Sequence, residues 1–228
     1  YNNLFIFIFK YIYIVLLMTI LISIDRAAKR QERIKEQGIN FDILKDSVDG
    51  LKLDNPKSYL SLRAFYDFDK KKSDHRAITT LGAIGCYMSH ENAWKRIIVK
   101  DKPELIIEDD VTIEDKNYLD KVNEWIMSYH NKPRIKWLQY GYLSKDPILY
   151  WGAGAYLINP LAAKILLENS RPIEMMPDLY MHHIILKYSW DLEIATPPLF
   201  SQYETNNGIF KSLCQDGNNY NDKNKYMY

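Results

Sequence analysis

The segment 105–111, Leu-Ile-Ile-Glu-Asp-Asp-Val, is the strongest constraint on how this chain folds, because three carboxylates directly follow a short apolar run. Such a run predicts a buried strand, and acids crowded at the end of a buried strand repel one another unless protons or a cation neutralise them. A solvated turn after the strand is the alternative interpretation. The segment therefore predicts a sheet whose edge carries Glu108, Asp109 and Asp110.

A divalent cation is the simplest means of neutralising these acids. Ligation by carboxylates alone favours a hard ion, so we expect Mn²⁺ or Mg²⁺, held by one or two carboxylates together with the phosphates of a substrate. Alternate side chains of an extended strand face the same side, which makes Glu108 and Asp110 the predicted metal-binding pair. Asp109 is the second choice of ligand if the chain turns at that point.

Predicted strands and helices alternate along the sequence, which indicates an α/β fold with a mostly parallel sheet flanked by helices in a single domain. Strands are predicted at residues 19–24, 39–44, 105–108, 135–140, 150–158 and near 194; helices are predicted at 25–37, 85–100, 116–129, 160–169 and 178–188. Residues 52–80 show no clear period and are predicted to form a long loop, with short helical pieces as an alternative, and Leu119, Val122 and Ile126 of the helix at 116–129 are predicted to face inward.

Ligands of such sheets collect outside the carboxyl ends of the strands. Asp25 follows the first predicted strand and is expected to cap the next helix, with Arg26 and Arg30 in that helix's first turns. Together with the acids that end the other strand, these residues predict the two sides of a nucleotide pocket. Solvated turns remain the alternative, and Arg30 also suits an exposed ion pair with Glu32 or Glu36.

Composition limits the class of protein. The 228 residues are enough for one well-packed domain, and 47% apolar with 26% charged residues is ordinary for a globular protein. A formal net charge of +1 without a long basic stripe gives no indication of nucleic-acid binding. Two cysteines cannot form a disulfide framework and no Asn-x-Ser/Thr acceptor is present, which favours a reducing, cytoplasmic location.

Both ends of the chain call for separate interpretation. Residues 4–24 are almost wholly apolar, but if 19–24 form a strand, the remaining stretch falls short of the roughly 20 residues that cross a bilayer. We therefore expect residues 1–17 to be a non-native or flexible extension, and membrane association is not favoured. A single domain is expected at 18–200, and the polar residues 201–228 are expected to form a mobile tail.

Four blocks of the sequence resemble glycosyltransferase family 25, which includes bacterial lipooligosaccharide galactosyltransferases and collagen galactosyltransferases. The first is Ile-Ser-Ile-Asp-Arg at 22–26 with Val-Asp-Gly at 48–50, and the second is Gly-Ala-Ile-Gly-Cys-Tyr-Met-Ser-His at 82–90. The third is the Glu-Asp-Asp segment, and the fourth joins residues 154–164 to Pro-Asp at 177–178. Together they occur in the family's order, which is more specific than any one of them.

The resemblance implies a GT-A, Rossmann-like fold and an inverting transfer of a sugar, galactose or a related hexose, from a UDP-sugar to a glycan or glycosylated acceptor. It implies a metal-assisted reaction in which Asp178 is the base for the acceptor hydroxyl. Asp178 also fits an ordinary helix N-cap. A catalytically inactive sugar- or nucleotide-sugar-binding module on the same fold is the alternative function.

Ser89 and His90 are expected to begin a helix beside glycines, where a helix N-terminus suits the phosphate or the sugar of a donor. His90 is accordingly a candidate catalytic residue. The donor-binding candidates are Asp25, Arg26, Arg30, Ser89 and Asp109. A cap for Ser89 and a core position for His90 are the structural alternatives.

Overall fold

The computed structural model describes residues 19–70, 77–128, 131–139 and 152–202. The predicted extension at 1–17 lies outside the described residues, as does the predicted tail beyond residue 202.

The centre of the fold is a six-stranded sheet in the order β2-β1-β3-β6-β5-β7, and β4 pairs with β8 in a separate two-stranded antiparallel sheet. The strands are β1 (Thr19–Ile22), β2 (Phe41–Ile43), β3 (Glu104–Glu108), β4 (Val111–Ile113), β5 (Ile135–Trp137), β6 (Ala155–Ile158), β7 (Glu193–Ile194) and β8 (Phe200–Gln202). Five of the six strands of the large sheet run in one direction, and β6 is antiparallel to both of its neighbours. The predicted α/β class with a mostly parallel sheet is confirmed.

Six α-helices are described: α1 (Ala28–Glu36), α2 (Leu62–Lys70), α3 (Leu81–Lys100), α4 (Tyr118–Met127), α5 (Pro160–Asn169) and α6 (Pro177–Lys187). The predicted start of α5 is confirmed, because the Asn159 side chain accepts a hydrogen bond from the Ala162 amide at 2.9 Å and Pro160 occupies the first turn. Helix α3 ends at Asp101, whose left-handed φ of 50° stops the helix.

Two expectations about the elements are wrong, and one that was left open is decided by the structure. Helix α3 begins four residues before the predicted Gly85, because the Thr80 hydroxyl caps it by accepting from the Ala83 amide at 2.9 Å. The predicted loop at 52–80 contains α2, a short helical piece of the kind left open for this segment, whose buried Ala64 and Phe68 lie four residues apart on one face. In α4 it is Tyr118 that faces the core, while Leu119, predicted to face inward, is 37% exposed.

The sheet is buried on both faces. Ile20, Ile22 and Ile106 pack in one hydrophobic cluster with α3, α5 and α6, whereas Leu21 and Ile107 pack in a second cluster with α1 and α4. Alternate residues of each strand therefore enter different cores, which explains why these strands are continuous apolar runs rather than alternating ones. Since β1 and β3 are parallel neighbours with Ile22 opposite Glu108, their carboxyl ends meet at one edge.

Candidate active site

A pocket lies where β1 and β3 end. It is formed by the turn that follows β1, by the 48–50 turn with the facing residues of α3, and by the three acids after β3. Six of the nine sequence-predicted site residues line it: Arg26, Arg30, Ser89, Glu108, Asp109 and Asp110. Asp25, His90 and Asp178 are not among its lining residues.

Asp109 forms the floor of the pocket and is buried. Its Oδ2 accepts from the Ser23 hydroxyl at 2.6 Å, and its Oδ1 accepts from the Arg30 guanidinium at 2.8 Å. Burial raises the pKa of Asp109, and the charge of Arg30 and the bond from Ser23 offset part of that rise. Arg30 is therefore a buried partner of Asp109, and the alternative of an exposed ion pair with neighbouring glutamates is wrong.

Asp110 is buried and only half satisfied. Its Oδ2 accepts from the Gln202 amide at 3.1 Å, but its Oδ1 has no hydrogen-bond partner among the described residues. Burial raises the pKa of Asp110 from 3.8 to about 7, and the charges of Glu108 and Asp109 add to the rise. A buried carboxylate oxygen with no partner is costly, so this atom is suited to an external cation.

Glu108, the last residue of β3, is contacted by two side chains of α3. Its Oε1 lies 3.1 Å from Nε2 of His90 and 3.9 Å from Sγ of Cys86. Nδ1 of His90 lies 2.8 Å from the Tyr156 hydroxyl, which also accepts from the Trp94 indole N–H at 3.0 Å. The sheet and α3 thus fix one oxygen of Glu108 while the residue still lines the pocket.

The 48–50 turn touches α3 backbone to backbone. A Cβ on Gly85 would lie 2.5 Å from the Gly50 nitrogen and 2.6 Å from the Val48 oxygen, and a Cβ on Gly50 would lie 1.8 Å from the Leu81 oxygen. Both glycines are required by this approach. The Val-Asp-Gly and Gly-x-Ile-Gly blocks are therefore the two halves of one contact that builds a wall of the pocket.

Ser89 stabilises the same contact. Its hydroxyl accepts from the Val48 amide at 2.8 Å and donates to the Gly85 carbonyl at 2.8 Å. Ser89 and His90 lie in the third turn of α3 and not at its start, so the expectation that they flank a helix N-terminus is wrong. The reason is the earlier cap at Thr80.

Arg26 lies at the mouth of the pocket and pairs with Asp49, 3.0 Å from Nε to Oδ2. Its side chain is 37% exposed, whereas that of Arg30 is 8% exposed. Asp25 is exposed and begins a 3-10 turn at Asp25–Ala27 instead of capping α1. The N-cap of this 3-10 turn is Ile24, whose carbonyl accepts from the Ala27 amide at 2.9 Å, and the N-cap of α1 is Ala27.

Asp178 lies in the first turn of α6. The N-cap of that helix is Met176, so the expectation that Asp178 is the cap is wrong. Its Oδ2 accepts from the Gly152 amide at 2.7 Å and its Oδ1 from the Leu179 amide at 2.9 Å. Burial raises the pKa of Asp178, the two amides lower it, and the charge of Glu108 raises it further. The Asp178 and Glu108 carboxyls therefore interact electrostatically.

Two sets of side chains have the chemistry to hold a cation. The first is the trio of carboxylates, whose unpartnered Asp110 Oδ1 and oxygen-only donors suit Mn²⁺ or Mg²⁺. The chain turns at Asp109–Asp110, between β3 and β4, which brings all three acids to the pocket. The second is Cys86, His90 and Glu108, which place one ligating atom each within 4.8 Å of one another.

Sequence reasoning missed several residues of this site. Gln202 was assigned to the tail, yet it belongs to β8 and donates to Asp110. Ser23 and Asp49 belong to the recognised blocks but had no assigned contact. Tyr156 gave no signal, because a tyrosine in a buried strand is read as core.

No helix among the described residues is both long and apolar enough to cross a membrane.

Comparison with known proteins identifies relatives of one kind. A family model described as glycosyltransferase family 25 (LPS biosynthesis protein) matches residues 17–181. A protein of Anopheles gambiae named glycosyltransferase 25 family member is 27% identical over 180 residues, which cover 69% of this chain and 29% of the relative. A protein of the same name from Aedes aegypti is 29% identical over 122 residues, 45% of this chain and 19% of the relative.

The chain thus spans less than a third of the length of these curated relatives. Among solved structures, it is similar to a glycosyltransferase involved in the glycosylation of the major capsid of PBCV-1. That similarity has a TM-score of 0.41 and 15% identity, and it covers 82% of this chain and 94% of the other.

Proposed function

The chain belongs to glycosyltransferase family 25, and from this membership we propose that it transfers a hexose, galactose or a close relative, from a UDP-sugar to a hydroxyl of a glycan or glycosylated protein. The proposed transfer is metal-assisted and inverts the anomeric carbon. The family's description as an LPS biosynthesis protein makes a lipopolysaccharide-type glycan one candidate acceptor.

The observation that carries this proposal is the half-satisfied Asp110 in a pocket with two further carboxylates. Three acids at one buried edge, with one oxygen lacking a partner among the described residues, form a site of excess negative charge. A divalent cation together with a diphosphate is a ligand whose charges match that site.

Glu108 and Asp110 are the proposed metal ligands. Asp109 is already bonded to Ser23 and Arg30, so its role is to fix the turn that presents the other two acids. When bound, Mn²⁺ or Mg²⁺ would neutralise the charge that develops on the departing diphosphate.

Arg26 and Arg30 serve the donor in different ways. Arg26 is partly exposed at the mouth of the pocket, and a diphosphate can compete with Asp49 for its guanidinium. Arg30 lines the pocket and neutralises Asp109, so it lowers the negative charge that a diphosphate would meet there. Asp25, beside Arg26, is the proposed contact for the nucleoside, and Ser89 holds the turn that shapes the donor side.

Asp178 is the proposed base for the acceptor hydroxyl. Its two backbone N–H donors fix the carboxylate in one orientation, and burial raises its pKa, which increases its strength as a proton acceptor. Glu108 interacts with Asp178 electrostatically, which supports a base located near the metal ligands.

A donor screen tests the proposal. Purified protein is incubated with UDP-galactose, UDP-glucose and UDP-N-acetylglucosamine, with Mn²⁺, Mg²⁺ or EDTA, and released UDP is measured. We expect release that requires the metal, and Asp110→Asn should lower it by at least about 100-fold because a charge-stabilising group is lost. Asp120→Asn, at an exposed position of α4, is the matched control and should leave the rate unchanged.

Two outcomes contradict the proposal. Full activity of Asp110→Asn would remove the metal role of the acids. Binding of UDP by the wild-type protein without release from any donor would favour the inactive binding module.

A further inference from the structure

A chain of hydrogen bonds runs from the core to Glu108. The Trp94 indole donates to the Tyr156 hydroxyl, this hydroxyl lies 2.8 Å from Nδ1 of His90, and Nε2 of His90 lies 3.1 Å from Glu108 Oε1. Trp94, Tyr156 and His90 are each fully buried. Bulk water therefore does not reach the groups in the interior of this hydrogen-bonded chain.

Counting protons along the chain selects one form of His90. The indole N–H can only donate, and burial raises the pKa of Tyr156 well above its usual range, so the phenol keeps its single hydrogen. If that hydrogen is donated to Nδ1, Nε2 carries the imidazole proton and donates it to Glu108, and every group is satisfied. The opposite tautomer leaves the phenol hydrogen without an acceptor among the described residues and turns the Nε2 lone pair toward a carboxylate oxygen.

The position of the His90 proton also decides whether Cys86, His90 and Glu108 can bind a metal ion together. A soft cation bound there would need the lone pair of Nε2, which this tautomer covers with a proton. The cluster is therefore better suited to fixing Glu108 than to binding a second ion.

We infer that Tyr156 and Trp94 are positioning residues, which hold His90 as an Nε2–H donor so that His90 fixes the Glu108 carboxylate at the pocket. The effect of this on turnover rests on the proposed function, whereas the tautomer itself does not. His90 thereby acts through Glu108 and not on the substrate. His90 of the second sequence block and Tyr156 of the fourth therefore share one function, which is to orient Glu108.

Tyr156→Phe tests the inference because it removes one hydroxyl and keeps the ring. Tyr87→Phe is the matched control: Tyr87 is equally buried in the same core, and its hydroxyl donates to the Ser170 carbonyl at 3.1 Å, away from Glu108. Protein labelled with ¹⁵N-histidine is examined by NMR, and the signal of His90 among the five histidines is assigned from its loss in His90→Gln.

We expect the Nε2–H tautomer of His90 in the wild type and in Tyr87→Phe, and a mixture of tautomers in Tyr156→Phe. In the UDP-release assay, Tyr156→Phe should raise the Mn²⁺ concentration for half-maximal activity by about 10-fold or more, as the loss of groups that orient ligands does, with no change in Tyr87→Phe.

A proton on Nδ1 of His90 in the wild type, or an unchanged tautomer in Tyr156→Phe, would overturn the inference. A wild-type protein that releases no UDP would overturn the proposed function, while the NMR result would still decide the positioning role. The two failures are therefore distinguishable.

A second pair of variants covers the case in which Tyr156→Phe does not fold. His90→Gln keeps an N–H donor for Glu108 without a choice of tautomer, so its Mn²⁺ requirement should stay close to that of the wild type. His90→Ala should raise that requirement by about 10-fold or more. Equal impairment of His90→Gln and His90→Ala would count against donation to Glu108 as the function of His90.

Discussion

Two arginine–carboxylate pairs flank the pocket, and they differ chiefly in exposure. Arg30 is 8% exposed and bonded to buried Asp109, whereas Arg26 is 37% exposed and bonded to Asp49. Removing one partner of a buried pair leaves the other charge uncompensated, while an exposed pair is weakened by solvent. The two pairs should therefore contribute very unequally to stability.

We predict that Arg30→Ala lowers the free energy of unfolding by about 3–5 kcal/mol, and that Arg26→Ala lowers it by about 1 kcal/mol or less. Urea denaturation of the metal-free proteins measures both. Arg26→Ala serves as the control, because it removes the same side chain from the same pocket. Equal losses in the two variants would show that burial does not govern these pairs.

For individual residues, the sequence predicted their positions in the fold better than their hydrogen-bond and ion-pair partners. The acids and arginines were placed at strand ends by pattern alone, and six of nine candidates line one pocket. The partner of Arg30 was not predictable, because Asp109 is 79 residues away in the chain and local spacing suggested glutamates on the same helix. Contacts across the fold leave no trace in local sequence.

Helix α3 carries the Gly-Ala-Ile-Gly block at 82–85, and the 48–50 turn lies directly on this part of the helix. The backbone of that turn occupies the space that a side chain at Gly85 would need. A Gly→Ala change inside a helix normally adds stability, but here the added methyl group would meet backbone atoms that cannot rotate away.

We predict that Gly85→Ala destabilises the protein by about 1–3 kcal/mol, against the gain of about 1 kcal/mol expected from helix propensity alone. The displaced turn should also weaken UDP binding. Thermal denaturation and calorimetric titration with UDP measure the two effects. A more stable variant with unchanged UDP affinity would contradict the backbone contact.

Among the elements, those with local stop and start signals were predicted well. Helix α5 begins where Asn159 and Pro160 indicate, since both act within one turn. Helix α2 and the true start of α3 were missed because their signals, the Ser61 and Thr80 hydroxyls, lie in a segment whose polarity suggested a loop. Strand β8 was missed because its partner β4 is distant in sequence.

On the scale of the whole molecule, four carboxyls among the described residues have a raised pKa chiefly because they are buried: Glu104, Asp109, Asp110 and Asp178. An acid whose pKa is higher in the folded than in the unfolded protein contributes stability that is fully present below its unfolded pKa and is lost as the pH rises through its folded pKa. For Asp110 that window extends from about 3.8 to about 7. The metal-free protein should therefore lose stability across this range.

We predict that the melting temperature of the protein in EDTA decreases as the pH rises from 5 to 8, with Asp110 accounting for up to about 3 kcal/mol of the loss in stability. Asp110→Asn should flatten the profile, because the amide cannot ionise. Mn²⁺ with UDP should restore the stability of the wild type at pH 8 and have little effect on the variant. Parallel pH profiles of the two proteins would contradict a buried, titrating Asp110.

The direction of β6 within the sheet was not predicted, although the class of the sheet was. Apolar runs identify strands that are buried on both faces, but they carry no information on polarity or order. Those features depend on pairings such as Ile107 with Ala155, which only the folded chain contains.

The bond from Gln202 to Asp110 joins residues 92 positions apart. During synthesis, Glu108, Asp109 and Asp110 leave the ribosome long before Gln202, whose amide donates to Asp110. A nascent chain that stops short of this glutamine lacks the amide that bonds Asp110, so the pocket gains this hydrogen bond only after all of its lining residues have been synthesised.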